Sequence, residues 1–283
     1  MRIAYFTGGA VGAGHLVRGV ALGRALRRAG IAAEYRMFGP ALPFPIAGAL
    51  DYEVVALDAA ELRDPVRARA GGLASALGRF APQLLVVDLF WAPLRHILPL
   101  ADCEAWLLVR SVPRAWFGGP PDTRWEPRQF RRIVAIEPMS HPAVRDRIDP
   151  VVVCNLDETK PPGALRAHLG VAAGASLVVA THAGTAGEID TLAGGGVDVV
   201  RCDLFQDAAL FPLAEWLGDA DRVIAGAGYN SFWEARWLGW AERTTFMPFA
   251  RAIDDQRWRV ATCRTYPMQA NGADTIAGWV RTG

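Results

Sequence analysis

The chain has 283 residues, of which 52% are hydrophobic, and a formal net charge of +1. This length accommodates two compact α/β domains of about 120–150 residues each. The balanced charge argues against a nucleic-acid partner and against a polybasic membrane-binding patch.

The N-terminus does not have the pattern of a signal peptide, because the apolar run Ile3–Phe6 is too short and continues into Thr-Gly-Gly. No apolar run approaches the ~18 residues of a membrane span. The four cysteines are widely spaced, which favours buried, reduced thiols over a zinc site or a disulfide framework. We therefore expect a cytoplasmic protein, at most peripheral to the inner face of a membrane. The oligomeric state stays open.

The first half of the sequence predicts alternating strands and helices. Arg2–Thr7 has the pattern of a strand, Leu16–Arg28 that of a helix and Ile31–Phe38 that of a second strand. Such a β-α-β unit builds a parallel sheet. The remaining elements predicted here are strands at Tyr52–Leu57, Gln83–Val87, Glu104–Val109, Ile133–Ile136 and Val151–Val153, and helices at Arg63–Phe80 and Leu94–Leu100.

The polar, double-proline stretch Asn155–Gly163 predicts a linker, after which the alternation restarts. We therefore predict an N-terminal Rossmann-like domain over residues 1–154 and a C-terminal one over residues 155–283. The elements predicted in the second half are strands at Ser176–Thr181, Val197–Arg201, Arg222–Ala225 and Thr244–Met247, and helices at Leu165–Leu169, Ala186–Ala193, Ala209–Leu217, Ile253–Thr262 and Asp274–Val280, with one more helix beginning near Asn230.

The turn after the first strand carries several glycines and then Gly14, His15 and Arg18. Glycines let a backbone approach a ligand closely, and a helix N-terminus supplies N–H donors to an anion. A histidine in the first turn acts as an acid or base near neutral pH. A dinucleotide-binding site is disfavoured, because Val17 stands where the third glycine belongs and the second strand holds Arg36 where an acid is needed.

The segment Ala220–Glu234 predicts a short buried strand, a glycine turn that includes Gly228, and a helix opening near Asn230 and Ser231. Unpaired N–H groups and the helix dipole make such a turn an anion site. Glu234 lies one turn into the helix, where its carboxylate reaches a ribose hydroxyl. We read this turn and the His15 turn as facing each other across a cleft.

Three further stretches contain candidate ligand-binding residues. Asp255 and Gln256 pair an acid with an amide at a helix N-terminus, which suits sugar hydroxyls. Gly184 and Thr185 follow a strand and are candidates for a phosphate or base contact, and Asp88 ends a central strand at the presumed cleft. The pair Asp219 and Asp221 precedes a strand, at the wrong end of the sheet for a ligand. No metal site is expected.

These residues resemble a known family. Gly12-Ala-Gly14-His15-Leu-Val-Arg18 resembles the N-terminal Gly-x-Gly-His-x-x-Arg loop of MurG-like nucleotide-sugar proteins. Gly228–Glu234 resembles their C-terminal Gly-x-x-(Ser/Thr)-x-x-Glu core, and Pro248 with Asp255-Gln256 resembles the motif that follows it. The chain is shorter than most members, and Tyr229-Asn230 is bulkier than the residues usual there.

The resemblance implies a GT-B fold, two Rossmann-like domains with parallel sheets facing across a cleft, without a bound metal or other cofactor. It also implies a glycosyltransferase whose donor is a UDP- or similarly linked sugar, with an acceptor that the sequence does not name. Glu234 would bind the ribose, Gly228–Ser231 the diphosphate, and Gln256 with Asp255 the sugar, while His15 would act from the N-terminal side. Two alternatives stay open: a PseG-like nucleotide-sugar hydrolase in which His15 activates water, and a non-catalytic nucleotide-sugar-binding protein.

Overall fold

A computed structural model describes residues 1–8, 13–42, 51–118, 127–182, 184, 187–194, 199–202 and 207–282. In that part of the chain the first half forms one parallel sheet in the order β3-β2-β1-β4-β5-β6-β7. Its strands are β1 (Arg2–Thr7), β2 (Glu34–Gly39), β3 (Tyr52–Val54), β4 (Leu84–Asp88), β5 (Glu104–Val109), β6 (Arg132–Ala135) and β7 (Asp146–Arg147).

The central strands of this sheet are buried on both faces, as their continuous apolar sequences predict. Tyr5 and Val86 point into one apolar cluster, whereas Phe6 and Val87 point into a second cluster on the opposite face. Helix α1 (Gly14–Arg28) contributes to the first cluster. The strands therefore cannot slip by one residue without exchanging their two apolar faces.

The predicted helix Arg63–Phe80 is three helices, α2 (Ala59–Arg63), α3 (Pro65–Ala70) and α4 (Gly72–Phe80). Asp64 caps α3 through the amides of Val66 and Arg67, and Pro65 cannot continue the preceding helix. Gly71 then separates α3 from α4. The predicted helix Leu94–Leu100 is also wrong, because the prolines of this stretch leave only short 3-10 turns at Ala92–Leu94 and Leu98–Leu100.

The second half forms a smaller parallel sheet in the order β11-β10-β8-β9. Its strands are β8 (Val178–Thr181), β9 (Val199–Arg201), β10 (Arg222–Gly226) and β11 (Thr244–Met247). The helices of this half are α5 (Ala164–Leu169), α6 (Glu188–Ala193), α7 (Tyr229–Trp237), α8 (Gln256–Thr262) and α9 (Gly272–Thr282). The predicted helix Ala209–Leu217 is a series of 3-10 turns interrupted by Pro212.

The predicted strand Val151–Val153 is wrong, because side chains satisfy its backbone in place of a neighbouring strand. The amide of Val151 donates to the Tyr229 hydroxyl at 2.8 Å, and that of Val152 donates to Asn271 Oδ1 at 3.3 Å. The same hydroxyl donates to the carbonyl of Ile136 at 2.8 Å. This segment therefore connects the two halves without joining either sheet.

The two halves share one apolar cluster, which runs from β1 and α1 to β10 and α7. Helix α9, at the end of the chain, returns to the first half. Its Asp274 pairs with Arg28 of α1, and Trp279 contacts Trp106 of β5 edge to face at 6.1 Å. The domain boundary between residues 154 and 155 stays a prediction. Within the described residues, no helix is long and apolar enough to cross a membrane.

Candidate functional site

His15, Arg18 and Asp88 come together at the carboxyl edge of the first sheet. His15 and Arg18 are three residues apart on α1 and therefore share one face of the helix. Asp88 ends β4 directly beside Thr7, the last residue of β1. Since α1 follows β1 in the chain, the register of this strand pair brings Asp88 under the first turn of α1.

The Asp88 carboxylate is buried and fully engaged. Its Oδ2 lies 3.0 Å from Arg18 Nε and 3.0 Å from His15 Nδ1, and it accepts from the Tyr5 hydroxyl at 2.6 Å. Its Oδ1 accepts from Arg18 Nη2 at 3.3 Å. Burial raises the pKa of Asp88, but the charge of Arg18 and the hydrogen bonds from His15 and Tyr5 outweigh it and hold the pKa below its ordinary value. Asp88 is therefore ionised at neutral pH.

His15 is 8% exposed and has its Nδ1 on Asp88. Arg18 Nη2 also lies 2.9 Å from this Nδ1, but the two contacts require opposite tautomers. We assign the proton to Nδ1, because a lone pair there would face the Asp88 carboxylate. Burial lowers the pKa of His15. The imidazole is therefore neutral at neutral pH, and its Nε2 carries a lone pair that can accept a proton.

The turn after Asp88 is strained, and it holds a ring against His15. Leu89 is a buried, non-glycine residue with φ of +66°, a conformation that costs about 1–2 kcal/mol. Phe90 then packs against the His15 ring with centroids 5.0 Å apart. A Cβ on Gly8 would lie 2.5 Å from the Cβ of Phe90, so glycine is required there. Gly12 of the predicted first turn lies outside the described residues.

The predicted second turn meets this cluster directly. Helix α7 begins after Gly228, which caps it without a side chain. Asn230 in its first turn donates to the Gly14 carbonyl at 3.0 Å, and its Oδ1 lies 3.4 Å from Arg18 Nη1. The Arg18 guanidinium also lies over the Tyr229 ring at 4.8 Å. The two glycine turns thus face each other, joined by Asn230.

A cavity of about 90 Å³ lies between the two turns. Its lining includes Gly14 from the first half, and Asn230, Ser231 and Glu234 from α7. Glu234 is 7% exposed, and among the described residues its Oε1 has no hydrogen-bond partner. Burial raises the pKa of Glu234 to about 7. A buried carboxyl oxygen without a partner is costly unless a ligand completes it.

The turn after β8, predicted from Gly184 and Thr185 as a phosphate or base contact, also places His182 at this site. Its ring lines the same cavity, and Nε2 lies 2.6 Å from Glu188 Oε2. A Cβ on Gly184 would lie 2.2 Å from His182 Nε2, so this glycine makes room for the ring. Thr185 lies outside the described residues.

Asp255 and Gln256 do not line the cavity next to Glu234. Asp255 is exposed and caps α8 by accepting from the amide of Trp258 at 2.9 Å. Gln256 is buried, accepts from the Phe249 amide at 2.9 Å and donates to Asp254 Oδ2 at 3.2 Å. Both residues instead line a second cavity of about 480 Å³, whose other wall includes residues 111–113 of the first half.

A buried ion network ties the two halves together beside this second cavity. Glu137, after β6, accepts from Arg259 of α8 at 2.9 and 3.1 Å, and Arg259 also donates to Asp254 at 2.6 Å. Arg110, after β5, donates to the same Asp254 oxygen at 2.8 Å. The Arg259 side chain is fully buried. Sequence reasoning missed Arg259 and Glu137, because charged side chains are ordinarily exposed.

The Asp219 and Asp221 pair has structural roles at the opposite edge of the second sheet. Asp219 accepts from the amides of Gly163 and Leu165, and Asp221 accepts from that of Leu177. Within the part of the chain that the structure describes, no group of three or more histidine, cysteine or acidic side chains could hold a metal ion.

No protein-family model and no curated protein matches the chain. Solved structures do. The glycosyltransferase SsfS6 of Streptomyces sp. SF2575, complexed with thymidine diphosphate, is 14% identical with a TM-score of 0.55, covering 100% of both chains. The spinosyn rhamnosyltransferase SpnG, complexed with thymidine diphosphate, is 15% identical with a TM-score of 0.53, covering 99% of both chains.

A third similar structure is UGT2 of Phytolacca americana, complexed with UDP-2fluoro-glucose and pterostilbene. It is 14% identical with a TM-score of 0.51, covering 99% of this chain and 89% of that one. At these identities the likeness concerns the fold. Together with the two parallel sheets, it shows that the chain has an α/β fold of the GT-B type, with two Rossmann-like halves.

Proposed function

We propose that the protein is a metal-independent glycosyltransferase, which moves a sugar from a nucleoside diphosphate to an acceptor hydroxyl. The observation that carries this proposal is the pair of His15 and Asp88, placed directly opposite the glycine turn of α7. One side of the interface supplies a neutral base, and the other side supplies backbone donors and a buried carboxyl. This is the arrangement that displacement at a sugar carbon requires.

In the proposed reaction, His15 Nε2 takes the proton of the acceptor hydroxyl as its oxygen attacks the sugar carbon. Asp88, hydrogen-bonded at Nδ1, stabilises the imidazolium that forms, and Arg18 in turn holds Asp88 ionised. The bond from the sugar carbon to the diphosphate oxygen breaks, and its electron pair leaves with the nucleoside diphosphate. The amides at the start of α7 stabilise that charge in the place of a metal.

Glu234 is proposed to accept hydrogen bonds from the ribose, since its Oε1 is buried and without a partner among the described residues. Asp255 and Gln256, on the larger second cavity, remain the proposed sugar contacts. The cavity beside Glu234, about 90 Å³, is smaller than ordinary ligand pockets of roughly 300–1,000 Å³. We therefore expect the two halves to separate when the nucleotide enters.

The MurG-like motifs favour a UDP-linked donor, whereas two of the similar structures hold thymidine diphosphate. A thermal-shift screen with UDP and thymidine diphosphate would show which nucleotide stabilises the protein more, and therefore which base it prefers. A ligand at 100 times its dissociation constant adds about 2.7 kcal/mol to stability, which such a screen detects. A lack of any shift with both nucleotides would contradict the proposal.

The activity test follows nucleoside-diphosphate release from a panel of nucleotide sugars, with and without a panel of acceptor alcohols. Release that requires an acceptor supports the transferase, and His15→Ala should slow it by about 100-fold or more. His168→Ala is the matched control, since His168 is an exposed histidine that also contacts an aspartate, Asp207, at 2.6 Å. Fast release without acceptor, lost in His15→Ala, would instead identify a hydrolase. Binding without turnover would identify a nucleotide-sugar-binding protein.

A further inference from the structure

We infer that His182 is a second ligand-binding histidine of this cleft, one that donates a hydrogen bond from Nδ1 to the diphosphate of the nucleotide. The inference rests on the proposed function, because it concerns the diphosphate of the same donor. It assigns one side chain and one atom to the turn after β8, for which the sequence predicted a phosphate or base contact without choosing between the two.

The position of the ring is fixed by the space that two glycines leave. A Cβ on Gly226 would lie 2.4 Å from His182 Nδ1, and a Cβ on Gly184 would lie 2.2 Å from Nε2. The imidazole thus occupies the volume that a side chain at residue 226 would fill, above the turn that leads into α7. The ring of Phe249 closes one side, with centroids 5.0 Å apart.

The orientation of the ring is fixed by a carboxylate. His182 Nε2 lies 2.6 Å from Glu188 Oε2, and Glu188 in turn receives two hydrogen bonds from Arg251. A carboxylate at Nε2 fixes the proton on that nitrogen and supports a positive imidazolium. Nδ1 is then directed towards the glycine turn. Among the described residues, Nδ1 has no hydrogen-bond partner.

The side chain of His182 is 8% exposed, and His182 lines the same cavity as Ser231 and Glu234. The charged groups that face the ring are Glu188 of α6, Arg251 after β11 and, across the cavity, Glu234 of α7. Glu188 and Arg251 neutralise each other. An anion in the cavity is therefore the partner that a protonated Nδ1 lacks.

Burial lowers the pKa of His182, and Glu188 opposes that effect only in part. The ring is thus neutral in the free protein, and it takes up a proton when the diphosphate binds. His182 keeps this proton through the transfer. The electron pair of the breaking bond goes to the diphosphate oxygen, the acceptor proton goes to His15, and His182 contributes a hydrogen bond to the departing charge.

The test compares UDP with uridine, and thymidine diphosphate with thymidine, by titration calorimetry at pH 7. His182→Gln is expected to keep the contact with Glu188 but to lose the Nδ1 donor. We expect this variant to bind the diphosphates about tenfold or more weakly than the wild type, which is the effect of one hydrogen bond to a charged group. Its affinity for the nucleosides should be unchanged. His182→Asn keeps a donor near the Nδ1 position and should lose less affinity. Binding enthalpies in buffers of different ionisation enthalpy should show proton uptake by the wild type that His182→Gln reduces.

Glu188→Gln is a second variant for the case in which His182→Gln does not fold. It should also lower the affinity for the diphosphates while leaving the affinity for the nucleosides unchanged. Equal binding of UDP or thymidine diphosphate by wild type and His182→Gln would overturn the inference and leave the proposed function standing. An equal loss of affinity for nucleoside and diphosphate in His182→Gln would show that His182 has a purely structural role, and would also overturn the inference. Absence of binding of either diphosphate to the wild type would instead refute the proposed function.

Discussion

Replacing Glu234 by glutamine should stabilise the protein at high pH and much less at low pH. Burial raises the pKa of this carboxyl from its ordinary 4.5 to about 7. One pKa unit corresponds to about 1.36 kcal/mol, so ionising Glu234 in the folded protein costs roughly 3 kcal/mol. The cost arises because Oε1 is buried without a partner among the described residues.

The sign follows from proton linkage. Between pH 4.5 and 7 the folded protein holds a proton on Glu234 that the unfolded chain has released, so the free energy of unfolding falls as the pH rises. Glutamine has the same shape and does not titrate. The gain in stability of Glu234→Gln over wild type should therefore be larger at pH 8 than at pH 5 by about 2–3 kcal/mol.

Urea unfolding at pH 5, 6, 7 and 8 measures this difference, with tryptophan fluorescence and circular dichroism required to report coincident transitions. The histidines of the cleft titrate in the same range, but they are common to both proteins and cancel in the comparison. Glu242→Gln is the matched control, because Glu242 is exposed. A stability difference between Glu234→Gln and wild type that does not change with pH would refute the reasoning.

Two further predictions concern stability away from the cavity. Arg259→Met leaves the buried Glu137 carboxylate without its ion-pair partner, with the neutral donors Ser111 N–H and Trp233 Nε1 still in contact. It should lower the free energy of unfolding by about 3–5 kcal/mol in urea. Adding Glu137→Gln should recover part of that loss, and full additivity of the two losses would contradict the pairing. Ala81 has φ of +46° at the exposed end of α4, so Ala81→Gly should raise the free energy of unfolding by about 1 kcal/mol. A loss of stability in the same assay would show that the left-handed conformation is not retained.

The positions of Asp88 and Glu234 follow from sequence rules. A continuous apolar run ending in an acid places that acid at the carboxyl edge of a parallel sheet, where ligands bind. The strand register, which sets Asp88 beside the end of β1, agrees with that prediction. Glu234 follows a strand and a glycine turn, and helical spacing turns it towards the cavity. Such rules work because each depends on a few neighbouring residues.

The same rules could not predict the contacts of Arg259 and His182. Arg259 pairs with Glu137, 122 residues earlier in the chain, and no local pattern identifies such a partner. The glycines between β10 and α7 were interpreted as parts of an anion site, and Gly226 is the first of them, without a side chain. In the structure the same missing side chain makes room for the His182 ring, which comes from a different strand. A glycine in a sequence indicates that space is needed, but not what fills it.

The buried charges of this interface differ in a way that distinguishes stability from function. Arg259 and Glu137 are completely buried and satisfy each other, and Asp88 uses both of its oxygens. Against this pattern, Oε1 of Glu234 is buried without a partner among the described residues. The His182 side chain is 8% exposed, and its hydrogen bond to Glu188 uses Nε2, which leaves Nδ1 without a partner among the same residues. Proteins keep such costly exceptions where a ligand completes them. Both atoms belong to residues that line one cavity, between the turn of Gly14 and the start of α7, so the unpaired groups mark the place where a polar, anionic ligand is expected.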